Sequence, residues 1–559
     1  MVELLSILRR ETTIFHGPWL LMLLLSAFSY AALLHTINIT VVHFFHGTQE
    51  FHLLLFFVAC VVMLFVSARI YINHALEENE NLVYRKRNEI FQLLRGVNLE
   101  AVEQISKAAI RDRLTDSGQN LSIALTQFVE MILYILRGLF VVIYSITVSE
   151  YASLWIGALL LAGGYLYRLA EQRMIYHFEQ ADHYGEQFIN VLQQLVDGFN
   201  ELRMNHRKAN HLQQHFEQSA QRNRDARRGA GAIFSLTFIA SNVAMFTIIG
   251  TIIFILPTFD PEITLVQISN MVTIVLFLFV PIDVAITYIS STSIAAMNLQ
   301  GIEALGEQLA ARQRPENRVQ PFTQSRFHDF QQITLSQIQF AFHDAQQRPT
   351  FQSGPIDLTI RRGELIFIVG GNGAGKSIFL KLLTGLYYPQ QGELFVDQQL
   401  VNGSYYEEYR DLFSILLTDF YLFDPLLDFD ESKQQQANQL LEQMQLHHKT
   451  AIHAGRFTTT ALSTGQRKRL GYIIARLEDR PIVVFDEFAA DQDPLFKKQF
   501  YEQQLLQLKQ EGKTVLCVTH DEHYFHLADR ILVLRNGHCN EYLGARDNID
   551  QLLATFIEE

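Results

Sequence analysis

The residues Gly370-Gly371-Asn372-Gly373-Ala374-Gly375-Lys376-Ser377 form the densest chemical motif in the chain. Closely spaced glycines let successive backbone N–H groups turn inward to meet phosphate oxygens, a following lysine bridges the β- and γ-phosphates, and a hydroxyl next to it ligates Mg²⁺. A second group lies downstream, where the apolar run Ile482-Val483-Val484-Phe485 ends in Asp486-Glu487. A carboxylate closing a buried strand holds Mg²⁺ through water, which assigns Asp486, and the next carboxylate, Glu487, is placed to orient an attacking water. Thr519-His520-Asp521 sets an imidazole at the end of a third apolar run, within reach of a γ-phosphate. Leu462-Ser463-Thr464-Gly465-Gln466 falls between the two Walker-type groups. Together these residues describe hydrolysis of a Mg²⁺-bound nucleoside triphosphate.

Such residues need rigid elements behind them. Leu365-Ile366-Phe367-Ile368-Val369 reads as a buried strand running straight into the glycine loop, and Ile378–Leu383 begins a helix after it. This strand–loop–helix context aims the positive end of the helix at the phosphates. Residues 482–486 and 514–519 supply two further strands, so the C-terminal part is an α/β fold with a parallel sheet.

The order and separation of these motifs resemble the ATPase domain of ATP-binding cassette (ABC) proteins. The resemblance implies ATP as the nucleotide, contacted by Gly370, Gly371, Asn372, Gly373, Ala374, Gly375, Lys376 and Ser377, with Mg²⁺ at Ser377 and Asp486. It makes Leu462–Gln466 the family signature, with Thr464 as a variant third residue. In that family the signature of one subunit closes over the ATP held by another. Ser463, Thr464, Gly465 and Gln466 would therefore meet the γ-phosphate in trans, which implies a homodimer. Phe342 lies where the family stacks an aromatic ring on adenine, the alternative being a core position. Asp493 falls at the aspartate of the family's dimer-contact loop. Thr418 stands where many members carry a Mg²⁺-linked Gln, leaving the link to Thr418 through water or to Asp419.

The first part of the chain is of another kind. A membrane helix needs about 20 mostly apolar residues, and 18–42, 51–73, 125–148, 151–170, 232–257 and 264–290 qualify. The first follows Arg9-Arg10 and exceeds the h-region of a signal peptide, so it reads as a retained span with a basic flank, the alternative being a twin-arginine signal. The loops at 43–51, 149–150 and 258–263 lack Lys and Arg, whereas 74–124 and 171–231 are rich in them. By the positive-inside rule the N-terminus, both long loops and the C-terminal domain are cytoplasmic. A net charge of −13 gives no basic face for nucleic acid. The three cysteines, Cys60, Cys517 and Cys539, show neither zinc spacing nor a disulfide framework.

The two long connections look helical. Phe188, Val191, Leu192, Leu195, Phe199 and Leu202 keep helical spacing, and the turns fall near Gly96-Val97-Asn98 and Val196–Met204. Residues 311–330 are rich in Gln, Arg, Asn and Pro and read as a linker. The expected organisation is a six-helix transmembrane domain of ABC exporter type over 1–310, a linker over 311–330, and a P-loop nucleotide-binding domain over 331–559.

Gly363-Glu364-Leu365, Leu462–Leu470, Ala489-Ala490-Asp491-Gln492-Asp493-Pro494 and His520–Phe525 resemble the cyclic-peptide and siderophore exporter family, which includes exporters of microcins and of pyoverdine-type precursors. The resemblance implies a homodimeric half-transporter in the bilayer of a bacterial inner membrane, moving a peptide-like compound outward. A chain without a leader-cleaving N-terminal peptidase is expected, since no Cys precedes Cys60. Rival readings are a multidrug or lipid exporter, an exporter-fold importer of peptides or siderophores, and an ATP-gated channel or regulator.

Ionisable residues within spans are costly and mark function. Glu130 and Arg137 share a helix face in the third span, and Asp283 follows Pro281 in the sixth. These three are candidates for the substrate path, although Glu130 and Arg137 would equally pair with each other. His35 lies in the first span, and His43, His46 and His52 cluster near the outer surface, as a metal-binding group or an interfacial polar cap.

Overall fold

The computed structural model describes residues 2–45, 51–105, 107–148, 183–259, 263–312, 325–343, 348–427 and 430–543, with isolated positions between 153 and 181. It divides into two units, Met1–Phe91 with Ala108–Gly306, and Gln92–Lys107 with Glu307–Glu559.

The first unit is helical: α1 (Val2–Glu11), α2 (Gly17–Phe45), α3 (Phe51–Gly96, whose last residues belong to the second unit), α5 (Lys107–Leu114), α6 (Asp116–Val148), α7 (Phe199–Met204), α8 (His206–Gly250) and α9 (Leu265–Arg312, continuing past this unit). The short α4 (Leu99–Gln104) belongs to the second unit. Among the described residues five stretches are long and apolar enough to cross a membrane: Gly17–Phe44, Phe51–Gly96, Leu121–Val148, His206–Phe259 and Leu265–Ile289. These coincide with five of the six expected spans; most of the sixth, 151–170, lies outside the described residues.

Several helices outrun a bilayer. The 46 residues of α3 extend about 69 Å at 1.5 Å per residue, against a hydrocarbon core of about 30 Å. Their apolar part is bare of protein, with Leu55, Val62 and Phe65 all more than half exposed. Contiguous apolar surface of this extent marks a face covered by membrane or by another protein. The polar continuations are tied by charge: Lys86 of α3 reaches Glu11 at 2.9 Å and Glu303 of α9 at 3.5 Å. Within the bundle α2 meets α6 through small buried residues, Ser26, Ala27 and Ala31 among them, which let helix backbones approach in the absence of a hydrophobic drive. Leu34, Val141, Met271, Ile274 and Leu278 form the apolar centre. In the second long connection Phe188 packs on Phe216, ring centroids 5.3 Å apart. The expected turn at Val196–Met204 is α7, which buries none of its residues in this chain.

The second unit is built on two sheets. A six-stranded sheet has the order β12-β11-β3-β10-β9-β6, where β3 is Leu365–Val369, β6 Phe413–Leu416, β9 Ile482–Asp486, β10 Thr514–Val518, β11 Arg530–Arg535 and β12 His538–Leu543. All neighbours are parallel except β11 and β12. Covered on both faces, the central strands are fully buried and almost wholly apolar, with Asp486 at the end of β9 and Thr514 at the start of β10. Their side chains alternate: Phe367, Phe485 and Cys517 enter one core, Ile368, Val484 and Leu516 the other. A four-stranded antiparallel sheet, β2-β1-β4-β5, carries β1 (Gln332–His343), β2 (Pro349–Arg361), β4 (Gln391–Val396) and β5 (Gln399–Leu400).

The expected linker ends early. Phe327 and Phe330 are buried in the core beneath the antiparallel sheet, and Arg326 forks onto Glu408 with contacts of 2.9 and 2.8 Å. Two phenylalanines three residues apart anchor this stretch, and composition alone hides them among the polar neighbours. The first connection's turn also belongs here. α4 sets Leu99 against the same core, and its Glu103 carboxylate accepts from Lys381 Nζ at 2.8 Å and from the Tyr387 hydroxyl. Burial first, then the neighbouring Glu103 carboxylate, pushes the Tyr387 phenol far above its ordinary value.

Candidate active site

β3 delivers the chain into the glycine loop, and the helix Lys376–Leu383 leaves it. Gly375 has φ +96°, and a Cβ there would stand 2.7 Å from the Phe351 ring, so glycine is required twice over. Lys376 is buried, and its ammonium donates to Gly370 O at 2.8 Å and Gly371 O at 3.3 Å. Desolvation lowers its pKa, against the raising effect of Glu487 and Asp486. The loop backbone thus holds the cation at the head of the phosphate cradle, while Ser377 lies exposed beside it.

β9 ends at Asp486, buried at 4% exposure. Burial is the largest cause that raises its pKa, with the Glu487 charge adding and the Thr418 hydroxyl opposing. Thr418 Oγ1 donates to Asp486 Oδ2 at 3.1 Å. A buried carboxylate with no cationic side chain within 4 Å among the described residues suits a divalent cation. The expected Mg²⁺ ligands Ser377 and Asp486 therefore fit the ion, and Thr418 belongs to the same group through Asp486. Mg²⁺ bound there would neutralise charge on the β- and γ-phosphate oxygens.

Glu487 adopts φ +50°, ψ +39°, a left-handed conformation that a non-glycine residue holds only when its surroundings impose it. Here its N–H donates to Val518 O at 3.2 Å and its carbonyl accepts from Lys468 Nζ at 2.7 Å. The bend turns the carboxylate toward the glycine loop, 3.8 Å from Lys376 Nζ and 3.3 Å from His520 Nε2. His520 Nε2 is also 3.0 Å from Lys376 Nζ. The loop carrying His520 is fixed by Asp521, which accepts from Lys497 at 2.9 Å and Tyr501 at 3.0 Å. Carboxylate, imidazole and ammonium thus converge on one point, as water activation beside a γ-phosphate requires.

The motif Leu462–Gln466 opens the helix Thr464–Glu478 with a capping box between Ser463 and Gln466. Ser463 and Thr464 are exposed, while Leu462 packs on the core. A Cβ on Gly465 would meet Asp491 O at 2.7 Å, and Gln492 Nε2 donates to Gly465 O at 2.9 Å. Asp493 caps the helix Pro494–Gln499 and accepts from Arg469 at 2.8 Å.

Phe342 packs edge-on to Phe340 and Tyr387, with ring centroids 5.0 and 5.8 Å away. Its strand partner Phe351 lies against Gly375. Phe351, Lys468, Lys497 and Tyr501 escaped the sequence reading: each acts through a contact distant along the chain. In the membrane unit, Arg137 and Glu130 form no ion pair with each other within 4 Å. Asp283 keeps one buried carboxylate oxygen without a partner among the described residues. Among the described residues no group of three His, Cys, Asp or Glu is arranged to hold a metal; His46 lies outside them.

Residues 354–490 match the ABC transporter family model. The ATP-binding protein SyrD of Pseudomonas syringae pv. syringae is 50% identical over 209 residues, 37% of this chain and 37% of SyrD, so the match spans little more than a third of that relative's length. The lipoprotein-releasing system ATP-binding protein LolD of Psychrobacter arcticus is 34% identical over 206 residues, covering 34% of this chain and 88% of LolD. In fold, the chain is similar to a bacterial Atm1-family ABC exporter solved with ATP bound, with a TM-score of 0.76, 15% identity and 99% of each chain covered. The chain belongs to the ABC transporter family, as a half-transporter of exporter-type fold with a C-terminal ATP-hydrolysing domain.

Proposed function

We propose that two copies of this chain form an ATP-driven exporter of a peptide-like compound, set in a bacterial inner membrane with the N-terminus and ATPase domain cytoplasmic. The observation that carries the transport reading is a hydrolysis-competent constellation, Lys376, Asp486, Glu487 and His520, in one chain with five apolar helices of membrane-crossing length. Mg²⁺ accompanies ATP at Ser377 and Asp486.

Dimerisation is supported by surfaces that the single chain leaves bare. Ser463 and Thr464 project from their helix start into solvent, where the partner's γ-phosphate would lie, and Asp493 flanks them. Phe199 and Met204 of α7 are 59% and 88% exposed, suited to the partner's ATPase domain as α4 is to its own. Closure of the ATPase pair would move α4 and α7 and so the membrane helices. Orientation follows from the basic long loops and the outer ones without Lys or Arg. The peptide-like cargo rests on the motif resemblance, which includes the Ala489–Pro494 run.

The test is ATPase activity of the purified protein in nanodiscs against cyclic peptides, siderophores, lipids and hydrophobic drugs, with Glu487→Gln as blank, together with uptake into inside-out vesicles. Stimulation and ATP-dependent uptake of one peptide-like class alone is the expected result. Equal stimulation by drugs or lipids would replace the cargo, inward movement would reverse the direction, and turnover no higher than the blank would leave an ATP-binding gate.

A further inference from the structure

Arg137 lies near the middle of the span Leu121–Val148, and it is 7% exposed. A charge at that depth is costly and normally pairs with another charge or with backbone carbonyls. Among the described residues no carboxylate lies within 4 Å of this guanidinium. One Nη donates to the neutral hydroxyl of Ser26 at 2.8 Å, and the Nε–H is buried with no acceptor among the described residues. The ring faces of Tyr134 and Tyr30 flank the guanidinium at 4.9 and 5.7 Å, which compensates part of its charge. The Tyr30 ring is itself fixed. Pro281 removes the N–H that would bond Phe277 O in the helix, and the Tyr30 hydroxyl donates to that carbonyl at 2.9 Å. The residue after Arg137, Gly138, faces Pro281 so closely that a Cβ on it would stand 3.1 Å from the proline Cβ. The wall beside the guanidinium is thus formed where Pro281 interrupts the hydrogen-bond ladder of α9.

We propose that Arg137, held between Tyr30 and Tyr134, is the anchor for a carboxylate of the transported compound. The vacant Nε–H and the Nη now on Ser26 form one edge of the guanidinium, and that edge matches the two oxygens of a carboxylate. Ser26 holds the place of an acceptor and turns its own hydroxyl to the carboxylate once it arrives. A phospholipid phosphate is the wrong source: at mid-span it would lie about 15 Å from the site, half the hydrocarbon thickness. That the carboxylate belongs to cargo rests on the exporter reading; that the site selects a carboxylate does not.

The experiment measures binding to the full-length protein in phosphatidylcholine nanodiscs without nucleotide, by fluorescence anisotropy of a dansyl-tetrapeptide with a free C-terminal carboxylate and of its C-terminal amide. The wild type is expected to bind the acid about tenfold or more tighter than the amide, the scale of a charge-assisted pair. Arg137→Gln should bring the two dissociation constants together. Arg137→Lys, which keeps the charge and loses the fork, should retain an intermediate preference, and it carries the test should the glutamine variant fail to elute as a folded protein. Equal affinities in the wild type, no binding of the acid, or a preference surviving in Arg137→Gln would each overturn the proposal. So would displacement of the acid by phosphatidylglycerol added to the nanodiscs, which would assign the site to a lipid phosphate. Vesicle uptake is scored separately: a preference for the acid without ATP-driven movement refutes the exporter and keeps the subsite, and movement without the preference does the reverse.

Discussion

Replacing Tyr30 by Phe tests how the bundle tolerates a proline in the middle of α9. The substitution removes one hydroxyl and leaves the ring, which lies 5.1 Å from the Phe277 ring, so aromatic packing is retained. What is lost is the donor at 2.9 Å to Phe277 O. A buried acceptor left without its partner costs about 1–3 kcal/mol, although interhelical hydrogen bonds in membrane proteins average about 0.6 and reach about 1.7 kcal/mol. In a Pro281→Ala background the restored N–H at that position bonds the same carbonyl along the helix. The Tyr30 hydroxyl then has little left to satisfy. The alanine keeps the Cβ that faces Gly138 and drops only the ring carbons beyond it, so the neighbouring contact changes little.

The double-mutant cycle in SDS-titrated mixed micelles should therefore show a coupling of about 0.6–1.7 kcal/mol, which is about 3- to 20-fold in the unfolding equilibrium. Tyr30→Phe should cost less in the Pro281→Ala background than beside the native proline. An equal cost in both backgrounds would show that the proline-freed carbonyl is satisfied elsewhere, and the account of Tyr30 as its partner would fall.

Glu487→Gln should lower turnover about 10²- to 10⁴-fold with ATP binding retained, read from steady-state rates and nucleotide affinity; a loss below tenfold would remove Glu487 as the base. Asp486→Asn should raise the melting temperature of the nucleotide-free protein at neutral pH while abolishing Mg²⁺-dependent hydrolysis. Burial raises the pKa of Asp486, so its ionisation opposes folding: the protonated form's advantage is present at acid pH and is lost as pH rises through the raised value. The melting difference between variant and wild type should shrink on acidification, and a constant difference from neutral to acid pH would contradict the assignment. Glu103→Ala should cost under about 1 kcal/mol, its ion pair being partly exposed, yet lower vesicle uptake per ATP hydrolysed. Gly465→Ala sets about 1 kcal/mol of helix propensity against about 1–3 kcal/mol of overpacking on Asp491 O, and its melting temperature should fall.

The ATP site was legible because its chemistry is local. Gly370–Ser377 names the loop, the apolar runs on either side name its strand and helix, and Asp486-Glu487 ends a strand that alternates between two cores. Side chains brought in from afar were not legible. Lys468 grips the Glu487 carbonyl and Tyr501 grips Asp521, and neither sits in a pattern that distinguishes it from an ordinary helical residue. The linker boundary failed for a related reason: composition over 311–330 is polar, while two residues within it, Phe327 and Phe330, decide where the packed fold begins.

In the membrane unit the expected membrane-facing pattern appeared in the helices, but the partners of its charges did not follow from spacing. Glu130 and Arg137 share a face of α6, which made a mutual pair reasonable. The structure shows no such pair among the described residues and encloses Arg137 between Tyr30 and Tyr134. That environment depends on α2 and α9, which bring Tyr30 and the Phe277 carbonyl freed by Pro281 together across 247 residues of sequence. A polar group in lipid must be satisfied by whatever the bundle places beside it. The proline frees a carbonyl, the carbonyl fixes a tyrosine, and the tyrosine covers one face of an arginine whose Nε–H has no acceptor among the described residues.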